Sequence, residues 1–157
     1  MKKVLIKIGI ISAALLFVFM LMGCKATRDI GVYDTSVPSD QLCTLEIAGN
    51  ILVTKFNGND VVKKWGYTNK GGSNTQTVVK IPQGTHEIQA FFAISDYFGT
   101  SVTFPEMSFN YDFAAKHTYR LGVVVKKNGK ETDEYKVIEV SLPEFQYFTI
   151  VNKGETP

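Results

Sequence analysis

The chain has few of the residues from which metal sites and covalent catalytic sites are built. It contains two cysteines and two histidines in 157 residues. A zinc site normally needs three or four ligands supported by a second shell of hydrogen bonds, and His86 and His117 lie far apart in the sequence. We therefore expect no metal and no cofactor, and we interpret both histidines as structural or surface residues.

Motifs of nucleophilic catalysis and of phosphate binding are also missing. No GxSxG occurs, and nothing places a serine or Cys43 beside a histidine base. The segment NKGGSN, residues 69–74, is too short for a phosphate-binding loop, and NGND, residues 57–60, lacks the spacing of a calcium loop. The carboxylates of ETDE, residues 131–134, are expected to form a solvated hairpin rim. The sequence predicts that the chain is not an enzyme.

Charge of one sign is not in excess. The 17 basic residues face 15 acidic ones, a formal charge of +2, and three of the basic residues, Lys2, Lys3 and Lys7, belong to the N-terminal leader. Without them 14 basic residues face 15 acidic ones, a net charge of about −1. A near-neutral body lacks the electrostatic footprint of nucleic-acid binding and the basic patch of purely electrostatic membrane binding. We expect no nucleic-acid partner.

What the chain does have is an apolar leader. Two lysines follow the initiator methionine, and the apolar run extends from Ile8 to Met22. As a helix this run would span roughly 22 Å, less than the ~30 Å hydrocarbon core of a bilayer. A positive segment followed by a short apolar segment is typical of a signal peptide, which we assign to residues 1–23.

The end of the leader, Leu21-Met22-Gly23-Cys24, resembles the lipobox of bacterial lipoproteins. In that family the cysteine sulfur receives a diacylglyceryl group, the signal peptidase cuts before the cysteine, and its new amino group can be acylated. The resemblance makes Leu21, Met22 and Gly23 the peptidase-recognition residues and Cys24 the lipidated residue, although Met22 stands where a small residue is usual. The alternative is an uncleaved anchor with an ordinary cysteine at the membrane edge.

The lipobox resemblance also implies where the protein resides. It predicts a lipid-anchored protein of the cell envelope, whose membrane partner is reached through the N-terminal lipid. In this family an aspartate directly after the cysteine often signals retention in the inner membrane. This chain has Lys25 at that position, which favours the outer membrane and leaves open whether the domain faces the periplasm or the surface.

A lipidated Cys24 leaves Cys43 without a disulfide partner in the same chain. In QLCTLEIAG, Cys43, Leu45 and Ile47 share one parity, which on a strand puts all three side chains on the core face. We interpret Cys43 as a buried structural thiol. The alternative is a disulfide between two molecules.

Residues 24–41 and residues 42–157 differ in pattern. The first segment shows no sustained periodicity and is predicted to be the lipidated cysteine and a tether, whose later half could lie on the domain. From residue 42 onward, short alternating segments recur between turn sequences spaced about 8 to 12 residues apart. About eight or nine such strands predict an all-β domain over residues 42–157, an antiparallel β-sandwich of Ig-like or jelly-roll type.

Several short sequences predict where the chain turns. GN at residues 49–50 predicts a tight hairpin, and NG at residues 128–129 is the strongest hairpin signal in the chain. NGND at residues 57–60 predicts another turn, and IPQG at residues 81–84 fits a type I turn. Alternation predicts inward-facing side chains in three later strands: His86, Ile88, Ala90, Phe92 and Ile94; Met107, Phe109, Tyr111 and Phe113; and Tyr119, Leu121, Val123 and Val125.

The segments VVKIPQGTHEIQAFF and FAAKHTYRLGVVV resemble a recurring pattern in small bacterial envelope proteins. There an I-P-x-G-x-H turn leads into a strand, and a later segment with an aromatic residue, a lysine and a tyrosine opens another. This chain has Ala115 where a glycine before the lysine is common. The resemblance implies a β-sandwich module, often lipid-anchored and of unassigned function.

Aromatic residues in predicted loops form a candidate binding surface. Trp65 and Tyr67 lead into the loop at residues 67–74, and Tyr97 and Phe98 lie in the loop SDYFGT. Such rings can stack on sugars while their polar tips form hydrogen bonds; alternatively, Trp65 and Phe98 cap the core. We therefore predict a non-catalytic binding or structural module, or else a glycan- or small-ligand-binding lipoprotein. Its partner would be an envelope protein or a glycan.

Overall fold

The structure is a computed structural model of the chain. The described residues are 27–65, 75–95, 101–127, 129–132 and 144–155, and the side chains at 94, 95, 101, 102, 127 and 144–146 are not described. The predicted signal peptide, with Leu21, Met22, Gly23 and the lipidation residue Cys24, lies outside these ranges. Within them, no helix has both the length and the apolar character needed to span a bilayer.

Strands make up most of the described residues. One helical turn, α1 (Val62–Trp65), and a 3-10 turn (Ser39–Gln41) accompany them. The strands are β1 (Thr27–Val32), β2 (Leu42–Ile47), β3 (Ile51–Phe56), β4 (Asn59–Asp60), β5 (Gln76–Pro82), β6 (Gly84–Ser95), β7 (Ser101–Thr103), β8 (Met107–Phe113), β9 (His117–Lys127), β10 (Lys130–Thr132) and β11 (Glu144–Glu155).

These strands form two sheets. In the first, the order is β1-β5-β2-β9, and both β10 and β11 pair with β9. In the second, the order is β4-β3-β6, and both β7 and β8 pair with β6. The prediction of an all-β, sandwich-like fold is confirmed. The described pairs of the second sheet are all antiparallel, whereas the first sheet is mixed because β1 runs parallel to β5 and β2 runs parallel to β9.

The core lies between the two sheets, where the strand alternation predicted it. The inward residues of β9 are at most 3% exposed, and those of β6 that are described are buried as well. Strand β8 changes along its length: Phe113 is buried, Phe109 and Tyr111 are half-buried, and Met107 is 40% exposed. The alternation of β8 is therefore correct in phase, but its first residue lies beyond the edge of the core.

The turn at residues 49–50 does not form the predicted hairpin. Ile51 N donates to Ala48 O at 3.0 Å, which closes a tight turn, but β2 pairs with β5 and β9 while β3 pairs with β4 and β6. The turn carries the chain from the first sheet to the second. This arrangement buries Ile47 and Ile51 on opposite sides of one core, whereas a hairpin would place both in a single sheet.

The predicted tether is shorter than residues 24–41. Residues 27–32 form β1, which pairs in parallel with β5, and Tyr33 N continues the pairing by donating to Lys80 O at 2.8 Å. Ile30 and Tyr33 pack against the core. The sequence of this segment favours a strand only weakly. Its strand is stabilised because it covers the open edge of β5 and packs two apolar side chains against the core.

The two sheets share an upper end, where β1 begins, and an opposite, lower end. The upper end holds the starts of β1, β3 and β5 and the ends of β2 and β6; the lower end holds turns at residues 57–58, 83 and 114–116. Asn57 (φ 51°) and Gly58 (φ 73°) have the left-handed backbone of a two-residue hairpin turn. The β9–β10 hairpin, confirmed by the pairing of Lys127 with Lys130, projects from the upper end.

Candidate functional site

The structure places Trp65 in the core at the lower end. Its side chain is 3% exposed, and its ring centroid lies 5.4 Å from that of Phe56 and 5.8 Å from that of Tyr33. The indole nitrogen is buried, and no group in the described ranges accepts its hydrogen bond. Trp65 therefore caps the core, which was the alternative to ligand contact, and its ring faces are not free to stack on a sugar.

A surface lysine completes this aromatic cap. Lys64 Nζ lies 4.9 Å above the ring of Tyr33 and donates to Tyr33 O at 2.6 Å. Lys64 and Trp65 of the short helix α1 both contact Tyr33, which follows β1. Because Trp65 also contacts Phe56 at the end of β3, α1 connects these two parts of the chain. This cation–π contact is a structural feature that the sequence alone did not indicate.

The other three candidate ligand-binding residues, Tyr67, Tyr97 and Phe98, lie outside the described residues. Chain connectivity nevertheless constrains one pair. Ser95 at the end of β6 pairs with Ser101 at the start of β7, so the connection that contains Tyr97 and Phe98 starts and finishes at the upper end. Trp65 and the two described ends of this connection, Ser95 and Ser101, therefore lie at opposite ends of the sandwich.

His86 is bound through both ring nitrogens. Nε2 lies 2.9 Å from Pro82 O and donates to it, and Nδ1 lies 2.8 Å from the Asn57 amide nitrogen and accepts from it. Asn57 Oδ1 accepts from Glu87 N at 3.0 Å. The ring is 9% exposed and packs 4.8 Å from Phe56. With one nitrogen donating and the other accepting, His86 ties the I-P-x-G-x-H turn to the turn at Asn57 and has no lone pair left for a substrate or metal.

Cys43 is a buried thiol, as the parity of β2 predicts. Its side chain is 2% exposed, and Sγ lies 3.5 Å from Ile81 O, to which it donates weakly. Burial raises the pKa of this thiol from 9.0 to about 12. A protonated, enclosed sulfur is a poor nucleophile and cannot reach a second molecule to form a disulfide.

His117, the second histidine, is half-buried at the start of β9. Its Nδ1 accepts from the Asn152 amide nitrogen at 3.0 Å, and Glu155 lies 4.0 Å from Nε2. These contacts tie the last residues of β11 to β9. In the part of the chain that the structure describes, no three His, Cys, Asp or Glu residues are grouped so that they could hold a metal ion.

The outer face of the first sheet carries exposed apolar side chains that were not singled out from the sequence. Tyr147 is 45% exposed and Val151 is 53% exposed. Both lie on β11, opposite Val124 and Arg120 of β9. The segment FQYFTIV has apolar residues at both parities, and this is the signal that could have indicated a strand with one side in the core and one in solvent.

The β9–β10 hairpin, at the upper end of the same sheet, carries exposed charged residues. Lys126 on β9 and Lys130 on β10 are both exposed, and Glu131 lies opposite Lys126. Glu131 also accepts a long hydrogen bond, 3.4 Å, from the hydroxyl of Tyr147. Glu144 of β11 pairs with Lys126 from the other side, so this tip of the sheet combines an aromatic ring with residues of both charge signs.

Comparison of the chain with protein-family models, with curated proteins and with solved structures finds no match.

Proposed function

We propose that this protein is a lipid-anchored lipoprotein of the bacterial cell envelope that acts as a non-catalytic binding or structural module. The observation that carries the proposal is the sequence Leu21-Met22-Gly23-Cys24 followed closely by a folded domain. Strand β1 begins at Thr27, three residues after Cys24. Because the first described strand begins after Cys24, cleavage before Cys24 and lipidation of its sulfur would leave the strand intact. The short connection would hold the domain close to the membrane surface.

The state of the two most reactive side-chain types supports a non-catalytic role. Both nitrogens of His86 are engaged in the lower-end turns, and the Cys43 thiol is buried and protonated at neutral pH. His117 is tied to Asn152 and carries no nucleophile beside it among the described residues. Each of these groups contributes to the fold, so none is poised for acid–base or nucleophilic chemistry.

The test is the chemical state of Cys24 in the protein made from the full chain in a bacterial host. We expect mass spectrometry to show a mature N-terminus at Cys24 that carries a diacylglyceryl group. A Cys24→Ser variant should retain residues 1–23 and carry no lipid. Cys43→Ser is the matched control, because it removes the other cysteine and should leave lipidation unchanged. An intact leader with an unmodified Cys24 would establish the uncleaved anchor instead.

Lys25 provides a test of location in hosts with two membranes. The lipoprotein resemblance predicts that Lys25→Asp moves the mature protein from the outer to the inner membrane. Density-gradient separation of the two membranes measures this directly, and Lys25→Ser is the control for loss of the lysine alone. An unchanged distribution with aspartate would contradict the sorting rule for this host but not lipidation.

Glycan or small-ligand binding remains the second proposal, and it rests on Tyr67, Tyr97 and Phe98. The burial of Trp65 removes that ring from the binding surface. A panel of glycans and cell-wall fragments should therefore be screened with the lipidated full-length protein and with a Tyr97→Ala, Phe98→Ala variant. Specific binding that the variant loses would favour this proposal, while the absence of binding by folded protein would favour a protein partner or a structural role.

A further inference from the structure

We propose that the edge strand β11 pairs with β11 of a second copy of this chain, in antiparallel orientation about a two-fold axis at Thr149. The pairing joins the first sheets of the two copies into one continuous sheet. We refer to residues 147–152 of β11 as the pairing segment. The inference uses only described residues and does not depend on the lipid anchor of the proposed function.

Strand β11 forms one edge of the first sheet. It pairs with β9 on one side, and none of the other described strands pairs with it. The register against β9 shifts between Phe145 and Tyr147 and again between Asn152 and Glu155, so the pairing segment between these shifts is a regular one-to-one ladder. Its outer side presents the backbone groups to which a further strand can add.

The two edges of the first sheet differ in how they are protected against such pairing. Strand β1, at the other edge, carries Arg28 and Asp29 and has a register shift between Asp29 and Val32. Charged side chains and irregular pairing are common means of blocking an edge strand. Residues 145–152 of β11, FQYFTIVN, contain no charge, no proline and no glycine. The pairing segment therefore lacks the protection that β1 has.

The exposed apolar side chains of β11 favour a second copy as the occupant of this edge. Tyr147 is 45% exposed and Val151 is 53% exposed. Both lie on the outer face of the sheet, opposite Val124 and Arg120, and each is two residues from Thr149. Antiparallel pairing about Thr149 therefore places Tyr147 of each copy opposite Val151 of the other and the two Thr149 residues opposite each other. Aromatic–β-branched and Thr–Thr pairs are among the cross-strand pairs that stabilise sheets.

The charges at the two ends of β11 favour antiparallel over parallel pairing. Glu144 precedes the uncharged residues and Lys153 follows them. In an antiparallel pair the start of one strand lies beside the end of the other, so Glu144 of each copy comes near Lys153 of the second copy. Parallel pairing in register would place like charges side by side, which is unfavourable. Lys153 donates to Glu46 of its own chain at 2.9 Å, and its side chain is still 47% exposed.

The proposed pairing produces a closed dimer. Each copy uses its β11 edge once, and the two-fold axis makes the contact isologous, so no third copy can add at this edge. The axis of such an antiparallel pair runs along the sheet normal. Two copies held in one membrane satisfy this symmetry when the axis is parallel to the membrane normal, with the sheets lying along the bilayer.

Disulfide cross-linking tests the register of the pairing. The protein is the full chain in detergent with Cys24→Ser, which leaves only Cys43, 2% exposed, as a native thiol. Thr149→Cys should form a disulfide-linked dimer under mild oxidation, because the two α-carbons at the axis are about 4.5–5.5 Å apart. Tyr147→Cys alone and Val151→Cys alone should not cross-link, since each residue is about 14 Å from its own copy. A mixture of these two variants should cross-link.

Charge substitutions at the axis test the contact without a covalent bond. Thr149→Lys should raise the dissociation constant of the dimer about fivefold, because two lysines then lie opposite each other. Thr149→Glu should do the same, and an equimolar mixture of the two variants should restore association, which also shows that both are folded. Thr85→Lys is the matched control at an exposed position on β6 of the second sheet, and it should leave the dissociation constant unchanged. Analytical ultracentrifugation measures all of these.

The opposing outcomes are distinct from a failure of the lipid anchor. Cross-linking of Tyr147→Cys with itself would establish another register and overturn the proposal. Monomeric protein in which Thr149→Cys does not cross-link would also overturn it and leave Tyr147 and Val151 to a different partner. Equal weakening by Thr149→Lys and Thr85→Lys would assign association to net charge and overturn the role of β11. Lipidation of Cys24 is measured separately by mass, and none of these results changes it.

Discussion

The two ends of the sandwich differ in where their side chains point. At the lower end Trp65 is 3% exposed and His86 is 9% exposed, and Asn57 bonds to both His86 and Glu87. At the upper end Lys126 and Lys130 are exposed and Tyr147 is 45% exposed. The lower end uses its aromatic and polar groups to hold turns together, while the upper end presents them to solvent.

This difference separates stability from surface chemistry. The residue types at the two ends overlap, since each has lysine, an NG turn and aromatic rings, so composition alone does not distinguish them. What differs is how deeply these groups are buried, since Trp65 and His86 are at most 9% exposed and Tyr147 is 45% exposed. Substitutions at the lower end should therefore unfold the protein, and substitutions at the upper end should change what it contacts.

The largest effect is expected from Trp65→Ala. Removing a fully buried indole leaves a cavity beside Phe56 and Tyr33 and should lower the free energy of unfolding by about 3–5 kcal/mol. Tyr147→Ala is the upper-end control, expected to change stability by less than about 0.5 kcal/mol. Urea unfolding followed by circular dichroism measures both, because Trp65 is the sole tryptophan and fluorescence is lost with it. Similar losses in the two variants would remove the contrast between the ends.

Asn57→Ala should be the next most damaging change. It leaves His86 Nδ1 and Glu87 N without their hydrogen-bond partners. It also places alanine at φ 51°, a left-handed backbone conformation that asparagine tolerates better. The unsatisfied nitrogen of the buried His86 ring and the left-handed backbone together should cost about 2 kcal/mol. Asn110→Ala, at an exposed position opposite Glu87 on β8, is the control for asparagine removal. A loss below that of the control would show that the polar contacts at the lower end do not stabilise it.

A smaller and equal effect is expected at the two NG turns. Gly58 (φ 73°) at the lower end and Gly129 (φ 78°) at the upper end both have left-handed backbone, and alanine at either should cost about 1 kcal/mol. Gly122→Ala is the control, since its new β-carbon would meet Thr149 Cγ2 at an ordinary 3.7 Å. Alanine lowers the conformational entropy of the unfolded chain, so this substitution should be neutral or slightly stabilising. Unequal losses at residues 58 and 129 would show that the surrounding contacts contribute besides backbone conformation.

The smallest effect at neutral pH concerns Cys43. Because burial raises the pKa of the folded-state thiol to about 12, its contribution to stability is complete below about pH 9 and is lost as the pH rises toward 12. The difference in unfolding free energy between wild type and Cys43→Ala should be smaller at about pH 10.5 than at pH 8. Thiol reagents at pH 8 should label Cys43 only after unfolding. Rapid labelling of folded protein would contradict its burial.

Local patterns predicted the strands well because burial follows alternation. The inward residues of β6 and β9 and the buried position of Cys43 follow from a period of two along the chain. The NG hairpins at residues 57–58 and 128–129 follow from the positive φ that this dipeptide tolerates. These features depend on neighbours a few residues apart, so a single sequence contains them.

Features that depend on distant partners were not predictable in the same way. A tight turn at residues 49–50 is compatible with a hairpin and with a crossing between sheets, and only the pairing of β2 with β5 and β9 decides between them. Trp65 looked like a loop aromatic because it is enclosed by Tyr33, which is distant in sequence, and by Phe56, which lies across a turn. The polarity of residues 27–41 likewise concealed β1, whose hydrogen bonds go to β5.

By itself the sequence determined the all-β class, the phase of its main strands, two of its turns and a leader that resembles those of lipoproteins. These depend on local periodicity, backbone preference and short motifs. The tertiary structure alone decided which strands share a sheet, that Trp65 is in the core, that His86 is bound on both sides, and that the start of β1 and the β9–β10 hairpin lie at one end. The reason is that each of these is set by packing and hydrogen bonds between residues far apart in the chain, whose free energy exceeds the local preferences of any one segment.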